Sequence, residues 1–441
     1  MSDSLAALRS AIEKRTVAVG VIGLGYVGLP AACVLAEAQF KVTGIDIDAK
    51  RVEMINSGIS PIEGEEPGLA HLLKRVIESK HLRASTTHKD LSKADIVLIC
   101  VDTPVESDHR PRFKALRSAC EQLGPVLKHG ALVIVESTIA PGTIDTVVRP
   151  ALEASTGGRA GERFHLGHCP VRVMPGTLLR NMRTLSRVCG GSSPEVAEAM
   201  VALYSTYVEA DLDPADCLTA ELVKTAENAY RDVSIAFANQ LAMICEVVGG
   251  DVWRVRELVN KVPGRYVLLP GGGVGGHCIP KDSWLLAAPL GGEAESSLLG
   301  IARRINDSMP EHVAELVAEL ADAKAHAKVV VLGYSYLENS DDTRNSPSAA
   351  LVSILMQRGY EVRVHDPFGH EYAGDVMQTL DGAECAVLMV AHSAYRDLDL
   401  GAAARAMRRA QVADARGFFK PETLQAAGFT YRTIGVGAHK D

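Results

Sequence analysis

A single cysteine, Cys278, lies in the segment Gly275-Gly-His-Cys-Ile-Pro-Lys-Asp282, between a run of glycines and a lysine–aspartate pair. The glycines leave few side chains that could shield this thiol, and glycine lets a ligand approach the backbone closely. A thiol in such a loop is a candidate nucleophile for attack on an electrophilic carbon. The same segment could also be a flexible turn, so other parts of the chain must decide between these interpretations.

The motif Gly23-Leu-Gly-Tyr-Val-Gly28 predicts a site for the diphosphate of a dinucleotide. It follows a β-branched run and opens a helical pattern, and Asp46 ends the next apolar run. In this context the glycines permit a tight turn, the helix N-terminus meets the phosphates and the acid binds ribose hydroxyls. Asp46 favours NAD over NADP because its carboxylate would repel a 2′-phosphate, although the nearby Arg51 weakens that preference.

Two loops that follow predicted strands carry hydroxyl groups. Thr103 lies in the first loop, and Ser137 and Thr138 lie in the second. Ligands of doubly wound sheets bind beyond the carboxyl ends of strands, so these hydroxyls could reach a cofactor or order a water. Helix capping is the alternative role for serine and threonine at such positions.

Three polar residues, Lys224, Asn228 and Arg231, have the spacing i, i+4, i+7 in a predicted helix. They therefore share one helix face. An amine, an amide and a guanidinium on that face could meet a sugar hydroxyl and a diphosphate. A solvated face is the usual alternative, but the later turns of this helix are apolar and look buried.

The elements that must position these residues alternate between strand and helix patterns at both ends of the chain. Predicted strands near the N-terminus are 16–22, 41–46, 94–101 and 131–136. From about Pro214 to Val248 the pattern is helical with no strand signal, and a second strand–helix–strand unit begins at Lys328. We therefore predict an α/β fold, with two Rossmann-like doubly wound parallel-sheet domains joined by a central all-helical domain with a long helix. The predicted boundaries are 1–210, 211–310 and 311–441.

Composition agrees with an ordinary globular protein. A chain of 441 residues, 47% hydrophobic and 23% charged, predicts two or three domains. A net charge of −8 argues against a nucleic-acid partner or an anionic membrane surface. No apolar run reaches the roughly 18–20 residues of a bilayer span, and residues 1–15 do not resemble a secretory signal. Nine cysteines without clustering favour a reducing compartment, so we expect the cytoplasm.

Metal binding is not expected from the sequence. His165, His168 and Cys169 lie close together, but the segment has no fourth ligand at finger-like spacing.

Five motifs occur in an order that resembles the UDP-glucose/GDP-mannose dehydrogenase family over nearly the whole chain. They are GLGYVGLP (23–30), ESTIAPGT (136–143), the helix 224–231, GVGGHCIPKD (273–282) and DDTRNSP (341–347). Within the family, the segments YRDVSIAFANQ (230–240) and PGGGVGGHC (270–278) are most similar to UDP-N-acetyl-D-mannosamine dehydrogenases, and RVMPG (172–176) supports this.

The resemblance implies two successive oxidations of the C6 alcohol of a UDP-sugar to a carboxylate, using two NAD and one water. The expected substrate is UDP-N-acetyl-D-mannosamine, with UDP-N-acetylglucosamine or UDP-glucose as alternatives. By the same resemblance, Cys278 would form a thiohemiacetal and then a thioester with the substrate. Lys224 and Asn228 would act at the C6 oxygen. Asp282 would activate water, with Thr138 nearby.

Binding residues follow from the same resemblance, position by position. The implied NAD contacts are Gly23, Gly25, Tyr26, Val27, Gly28, Asp46, Arg51, Thr103, Thr138 and Arg344. The implied UDP-sugar contacts are Arg172, Val173, Lys224, Asn228, Arg231, Arg265, Gly275 and Tyr336. The first domain would bind NAD, the C-terminal domain would hold the UDP group, and the long central helix would form the interface of a homodimer or a higher homo-oligomer.

Three departures from the family pattern bear on function. Val171 stands where the family commonly has a glutamate that could assist thioester hydrolysis, so that role would pass to Asp282 or another group. Leu337 replaces a usual lysine, and Gly264 stands where an arginine is expected, with Arg265 one place later. Because of such losses, a nucleotide-sugar-binding protein without turnover is the alternative of another class. The presence of a lysine, a cysteine and an aspartate at the three catalytic positions argues against it.

Overall fold

An eight-stranded sheet organises the first part of the chain. This computed structural model describes residues 2–62, 66–174, 176–322 and 326–437, so Pro175 of the RVMPG segment lies outside the described residues. The strands are β1 (Ala18–Ile22), β2 (Lys41–Ile45), β3 (Leu82–Ser85), β4 (Ile96–Ile99), β5 (Leu132–Val135), β6 (His165–His168), β7 (Arg187–Gly191) and β8 (Leu212–Asp216). Their order is β3-β2-β1-β4-β5-β6-β7-β8. All neighbours pair in parallel except β6 and β7, which are antiparallel.

Helices cover this sheet, and its central strands β4 and β5 are buried along their whole length. The helices are α1 (Ser2–Glu13), α2 (Gly28–Glu37), α3 (Ala49–Asn56), α4 (Leu69–Glu78), α5 (Lys114–Leu123), α6 (Arg149–Thr156), α7 (Leu178–Thr184) and α8 (Pro194–Tyr204). In β4, Ile96 and Leu98 belong to one buried cluster, whereas Val97 and Ile99 belong to another. This alternation explains why the strand is a continuous apolar run in the sequence.

Strand β8 corrects one prediction. The sequence from Pro214 onward was expected to be helical, but Leu212–Asp216 pairs in parallel with β7. The strand lies at the edge of the sheet, and Asp213, Pro214 and Asp216 are exposed. Proline is tolerated at a sheet edge, and a solvated edge strand needs no apolar alternation. The sequence of β8 therefore lacks the apolar alternation that would predict a strand.

The region between the two sheets in sequence contains helices and, among its described residues, no strand, as predicted. They are α9 (Cys217–Val248), α10 (Val252–Val259), α11 (Ile279–Ala287) and α12 (Leu298–Leu320). None of the helices in the described ranges is long and apolar enough to cross a bilayer.

A five-stranded parallel sheet follows, in the order β10-β9-β11-β12-β13. Its strands are β9 (Lys328–Leu332), β10 (Glu361–His365), β11 (Cys385–Leu388), β12 (Gln411–Asp414) and β13 (Thr430–Thr433). The helices of this part are α13 (Pro347–Gln357), α14 (Val376–Leu380), α15 (Leu400–Ala406) and α16 (Pro421–Ala426). The predicted α/β class, with two Rossmann-like sheets and a helical region between them in sequence, is confirmed.

The chain divides into two compact units, which we describe separately. The first unit comprises Met1–Glu227 with Trp284–Pro289. The second comprises Asn228–Ser283 with Leu290–Asp441.

Candidate active site

The glycine motif forms the turn between β1 and α2 in the first unit. Gly23 has a φ of 88°, which favours glycine. A Cβ at Gly28 would lie 1.8 Å from the carbonyl oxygen of Gly23, so this position admits no side chain. A Cβ at Gly25, in contrast, would meet no atom within 4 Å. The turn therefore leaves open space at its middle glycine, the position that the sequence predicts for the diphosphate of a dinucleotide.

Asp46 is buried directly after β2 and faces this turn. Its Oδ2 accepts a hydrogen bond from the Leu24 backbone N–H at 2.8 Å, and its Oδ1 accepts from the Asp48 N–H at 3.0 Å. Arg51 donates to Oδ2 at 3.3 Å. The carboxylate that would bind ribose hydroxyls is thus held in place, and Arg51 is paired with it.

The loops after β4 and β5 are joined by their hydroxyl groups. The Thr103 hydroxyl donates to the Thr138 carbonyl oxygen at 2.5 Å, and the Ser137 hydroxyl donates to the Val101 carbonyl oxygen at 2.6 Å. Two side chains that could have been helix caps therefore fix the loops to one another. This keeps Thr138 at the carboxyl edge of the sheet.

Helix α9 holds the second of these loops through Glu221. The Glu221 carboxylate accepts from the backbone N–H groups of Gly142 at 2.6 Å and Ile144 at 2.7 Å. Burial raises its pKa to about 7, despite those two hydrogen bonds. Lys224 follows one turn later and is only 9% exposed. The predicted lysine therefore lies on the buried side of the helix.

His168, at the end of β6, is neutral beside this lysine. Its Nδ1 lies 2.8 Å from the Val135 carbonyl oxygen and therefore carries the proton. Burial lowers the pKa of His168 to about 4, and the charge of Lys224 adds to that shift. The imidazole thus adds no second positive charge near the lysine.

Arg172 is bound by residues that the sequence did not single out. Its guanidinium donates to both carboxylate oxygens of Glu227, one of them from Nε at 3.0 Å, and to the Ser186 hydroxyl at 2.9 Å. Val171 beside it is buried in the core, and Val173 packs against that core. Glu227 is three residues after Lys224, so the two side chains lie on adjacent positions of one helix surface.

Cys278 directly precedes helix α11 in the second unit. Its carbonyl oxygen accepts hydrogen bonds from the backbone N–H groups of Lys281 at 3.1 Å and Asp282 at 2.8 Å, which form the first turn of the helix. A helix N-terminus favours negative charge, as on a thiolate. All nine cysteines lie within the described residues, and Cys278 is the exposed one. Burial raises the pKa of four others to about 12: Cys33, Cys120, Cys217 and Cys385.

The glycines before Cys278 are required by close packing against residues 336–347. A Cβ at Gly275 would lie 2.6 Å from the Tyr336 Cβ, and a Cβ at Gly276 would lie 2.8 Å from the tyrosine ring. The Gly276 N–H donates to the Arg344 carbonyl oxygen at 2.9 Å, and the Asn345 amide donates to the Gly276 carbonyl oxygen at 3.1 Å. Burial raises the pKa of Tyr336, and the charge of Asp342 adds to that shift.

Asp282 and Asn228, both predicted at the site, are in direct contact. The Asn228 amide donates to Asp282 Oδ2 at 2.6 Å, and the Lys281 ammonium lies 3.4 Å from Oδ1. Asp282 and Lys281 are both buried. The Asn228 side chain therefore links α9 to the segment that carries Cys278.

The remaining predicted contacts occupy more exposed positions. Arg231 and Arg265 are exposed, and Arg344 donates to the Asp342 carboxylate at 2.6 Å. Tyr26 donates to Glu66 at 2.5 Å, and Val27 packs against the core of the first unit. In the ranges that the structure describes, no group of three or more His, Cys, Asp or Glu side chains could hold a metal ion.

Family models match three successive parts of the chain. The NAD binding domain of the UDP-glucose/GDP-mannose dehydrogenase family matches residues 17–208, the central domain matches 218–308 and the UDP binding domain matches 330–421. The chain belongs to the UDP-glucose/GDP-mannose dehydrogenase family.

Individual members of this family are similar over nearly the full length. A UDP-N-acetyl-D-mannosamine dehydrogenase from Pyrococcus horikoshii is 37% identical over 95% of this chain and 99% of its own. The solved structure of the UDP-D-ManNAc dehydrogenase from that organism has a TM-score of 0.87 at 36% identity, over 95% of this chain and 99% of that chain. An NDP-N-acetyl-D-galactosaminuronic acid dehydrogenase from Ralstonia nicotianae is 35% identical over 94% of this chain and 99% of its own.

Membership in the UDP-glucose/GDP-mannose dehydrogenase family makes this protein an NAD-dependent nucleotide-sugar oxidoreductase. The predicted cofactor, NAD, and the predicted class of substrate, a UDP-sugar, are confirmed at this level. The alternative of a binding protein without turnover is set aside, because the similar proteins are dehydrogenases.

Several residues near the predicted site were missed from the sequence. Glu221 fixes the loop after β5, and Glu227 binds Arg172. Lys281 was noted beside Asp282, but its contact with that carboxylate was not predicted. Glu227 could have been noticed, because it lies between two predicted site residues on one helix. The partners of Glu221 and Arg172 are far away in sequence, so a local sequence pattern does not predict these contacts.

Proposed function

We propose that the protein oxidises UDP-N-acetyl-D-mannosamine at C6 to UDP-N-acetyl-D-mannosaminuronate in a four-electron reaction. The main support is Cys278, an exposed thiol at the start of α11 whose neighbour Asp282 is buried against Asn228. A double oxidation requires a group that retains the aldehyde between its two halves, and a thiol does so covalently. The names of the similar Pyrococcus horikoshii proteins support the choice of sugar.

Bound NAD would accept a hydride from C6 in each half of the reaction. The chain offers Gly23, Gly25 and Gly28 for its diphosphate and Asp46 for a ribose. We further assign Tyr26, Val27, Arg51, Thr103, Thr138 and Arg344 to the NAD site.

Lys224 is our candidate for proton transfer at the C6 oxygen in the first oxidation. Its burial suits this role, because a low-dielectric setting strengthens the interaction of its ammonium with a developing negative oxygen. Asn228 would hold the same oxygen through its amide, which also donates to Asp282.

Cys278 would act in the second half of the reaction, the oxidation of the aldehyde. Its sulfur forms a bond to the aldehyde carbon while the thiol proton passes to the aldehyde oxygen, which gives a thiohemiacetal. That adduct would become a thioester if its C6 hydride passed to a second NAD and its hydroxyl proton passed to water. Water then adds to the thioester carbon, the carbon–sulfur bond breaks, and the products are the free thiol and the carboxylic acid.

Asp282 is our candidate for activating that water. Its Oδ2 is held by Asn228 and its Oδ1 faces the Lys281 ammonium, so the carboxylate has a fixed orientation close to the thiol in sequence. Val171 supplies no carboxylate, since it is a buried apolar side chain.

UDP-sugar contacts complete the proposal. We assign Arg172, Val173, Arg231, Arg265, Gly275 and Tyr336 to substrate binding, together with Lys224 and Asn228. We propose the domain boundaries 1–210, 211–310 and 311–441, with NAD on the first domain and UDP on the last, and with β8 joined to the sheet of the first domain. Nine cysteines scattered along the chain suit a reducing compartment, and we propose the cytoplasm.

Self-association through α9 is part of the same proposal. Tyr230, Phe237, Ile244 and Val248 recur on one face of the helix, and all four are exposed. Their spacing of seven and four residues forms a continuous apolar stripe, which a second copy of the chain would cover.

A panel of nucleotide sugars with NAD tests the function. We expect two NADH per molecule of UDP-N-acetyl-D-mannosamine, and no uronate from the Cys278→Ala variant. The variant Cys245→Ala, at a buried cysteine, is the control and should still form two NADH. One NADH per sugar in the native protein would exclude the double oxidation. Preference for UDP-N-acetylglucosamine, UDP-glucose or an N-acetylgalactosamine nucleotide, as the Ralstonia relative suggests, would replace the substrate but keep the chemistry.

A further inference from the structure

A buried polar network in the second unit is centred on Asp232 of helix α9. The Asp232 side chain is completely buried. Its Oδ1 accepts hydrogen bonds from Arg303 and Asn306 of α12, both at 2.7 Å. Its Oδ2 accepts from the Ser283 hydroxyl at 2.8 Å. Ser283 lies on α11, in the helix that Cys278 precedes, so this branch fixes the chain after the thiol.

A second branch of the network reaches the beginning of the glycine run. The Asn239 amide donates to Asn306 Oδ1 at 2.9 Å. The side-chain Oδ1 of Asn239 accepts a hydrogen bond from the Gly271 backbone N–H, also at 2.9 Å. Asn239 and Asn306 are both buried. Gly271 precedes Cys278 in the chain, so the segment with the thiol is tied to Asp232 at both of its ends.

Burying the charged pair Asp232–Arg303 costs free energy, so the network is better explained by the geometry that it fixes than by stability. Taking a carboxylate and a guanidinium out of water costs several kcal/mol per ion, and a well-packed apolar pair is often as stable. What the network adds is direction, because each hydrogen bond fixes one donor and one acceptor. The glycine run between the two anchors has little stiffness of its own. The two anchors, together with the contacts of Gly276 with Arg344 and Asn345, therefore fix where the thiol lies.

We propose that Asp232, Asn239, Ser283 and Asn306 are positioning residues that hold the Cys278 thiol where it captures the aldehyde before the aldehyde leaves. The inference rests on the proposed covalent mechanism. Capture requires the sulfur to be near attack distance, and small displacements lower such rates strongly. The first oxidation does not use the thiol, so a loosened segment should affect the second half of the reaction selectively.

Two variants each cut one branch and leave the Asp232–Arg303 pair intact. Ser283→Ala removes the link to α11, and Asn239→Leu removes the link to Gly271. Asp232→Ala is avoided, because it would remove the buried partner of the Arg303 guanidinium and leave it only the exposed Asp307 carboxylate, which can prevent folding. Tyr360→Phe is the matched control, since it removes one buried hydroxyl hydrogen bond, to the Ala321 carbonyl oxygen at 2.9 Å, elsewhere in the same unit.

Aldehyde leakage is the first measurement. With a carbonyl trap such as semicarbazide present, we expect both variants to keep the first oxidation and to form fewer than two NADH per sugar. The ratio of captured to trapped aldehyde should fall about fivefold, the factor that one ordinary hydrogen bond supplies. Tyr360→Phe should capture aldehyde as the native protein does. An equal loss of both oxidations in the variants, or equal leakage from the control, would overturn the inference.

Hydrogen–deuterium exchange is the second measurement, and it does not depend on the reaction. Exchange in the peptide that covers residues 271–278 should become faster in both variants and stay unchanged in Tyr360→Phe. Native exchange rates in this peptide for both variants would also overturn the inference. A native protein that forms only one NADH per sugar would instead contradict the proposed function, and the exchange experiment would still test the anchoring.

Discussion

Two aspartates perform the same structural task in the two sheets. Asp46 follows β2 and accepts from the Leu24 N–H in the turn after β1. Asp366 follows β10 and accepts from the N–H groups of Tyr334 at 2.6 Å and Ser335 at 2.9 Å, after β9. His392 also donates to Asp366, from Nε2 at 3.1 Å. Each carboxylate thus closes the first turn of its own Rossmann-like sheet.

Asp366 should stabilise the protein only when it is ionised. Burial alone would raise its pKa, but the hydrogen bonds from His392 and the backbone hold the pKa well below the usual 3.8. Because the folded-state pKa is depressed, the contribution is present above 3.8 and is lost as pH falls below it. We expect Asp366→Asn to lower the free energy of unfolding by about 1–3 kcal/mol at neutral pH.

Urea unfolding at pH 7 and pH 3.5 checks this expectation. The difference between native protein and Asp366→Asn should shrink at the lower pH. The exposed Asp397 gives a control, since Asp397→Asn should change stability little at either pH. A difference that does not depend on pH would mean that the charge of Asp366 is not what stabilises the turn.

At the scale of elements, the β1–α2 turn contains one glycine that packing requires and another that leaves space for a ligand. Gly28 is needed by the fold, because a Cβ there would overlap the Gly23 carbonyl oxygen. Gly25 is not needed by the fold, because its Cβ would meet no atom within 4 Å. The open space beside Gly25 is where the NAD diphosphate should approach the backbone.

Alanine substitution at these two positions should therefore have different results. Gly28→Ala should lower the free energy of unfolding by about 1–3 kcal/mol through overpacking. Gly25→Ala should leave stability within about 0.5 kcal/mol of the native value. It should nevertheless weaken NAD binding by about tenfold or more, which corresponds to roughly 1.4 kcal/mol. Thermal unfolding and calorimetric titration with NAD measure the two effects. Native NAD affinity in Gly25→Ala would move the diphosphate away from this glycine.

At the scale of the whole molecule, the stripe on α9 is the feature that a single chain leaves unexplained. Tyr230 is 73% exposed and Phe237 is 59% exposed, seven residues apart on one helix face. Large apolar side chains that adjoin one another on a surface usually mark an interface. The overall charge of −8 does not prevent this, since the stripe itself carries no charge.

Phe237→Glu should convert the assembled protein to a monomer. A carboxylate buried in an apolar interface loses its hydration without gaining a partner, which costs several kcal/mol at each copy. Sedimentation equilibrium measures the mass. Met356→Glu introduces the same charge at an exposed apolar residue of α13, away from the stripe, and should leave the mass unchanged. Equal masses for Phe237→Glu and native protein would exclude this face as the interface.

The class of fold, the NAD cofactor and the class of enzyme could be predicted from the sequence alone. Gly23 to Gly28, Asp46 and the segment around Cys278 are local patterns, because a tight turn, a helix start and an exposed thiol each depend on neighbouring residues. Runs of apolar residues predicted both sheets, since buried parallel strands are apolar on both faces.

The polar groups that hold those patterns in place could be identified from the packed structure and not from the sequence. Glu227 on Arg172, Glu221 on the loop after β5 and Asp232 on Ser283 pair residues that are far apart in the chain. Strand β8 was missed for a related reason, since an exposed edge strand is defined by its pairing with β7 and not by its own side chains. Such contacts arise from how the elements pack, and a linear pattern does not contain that geometry.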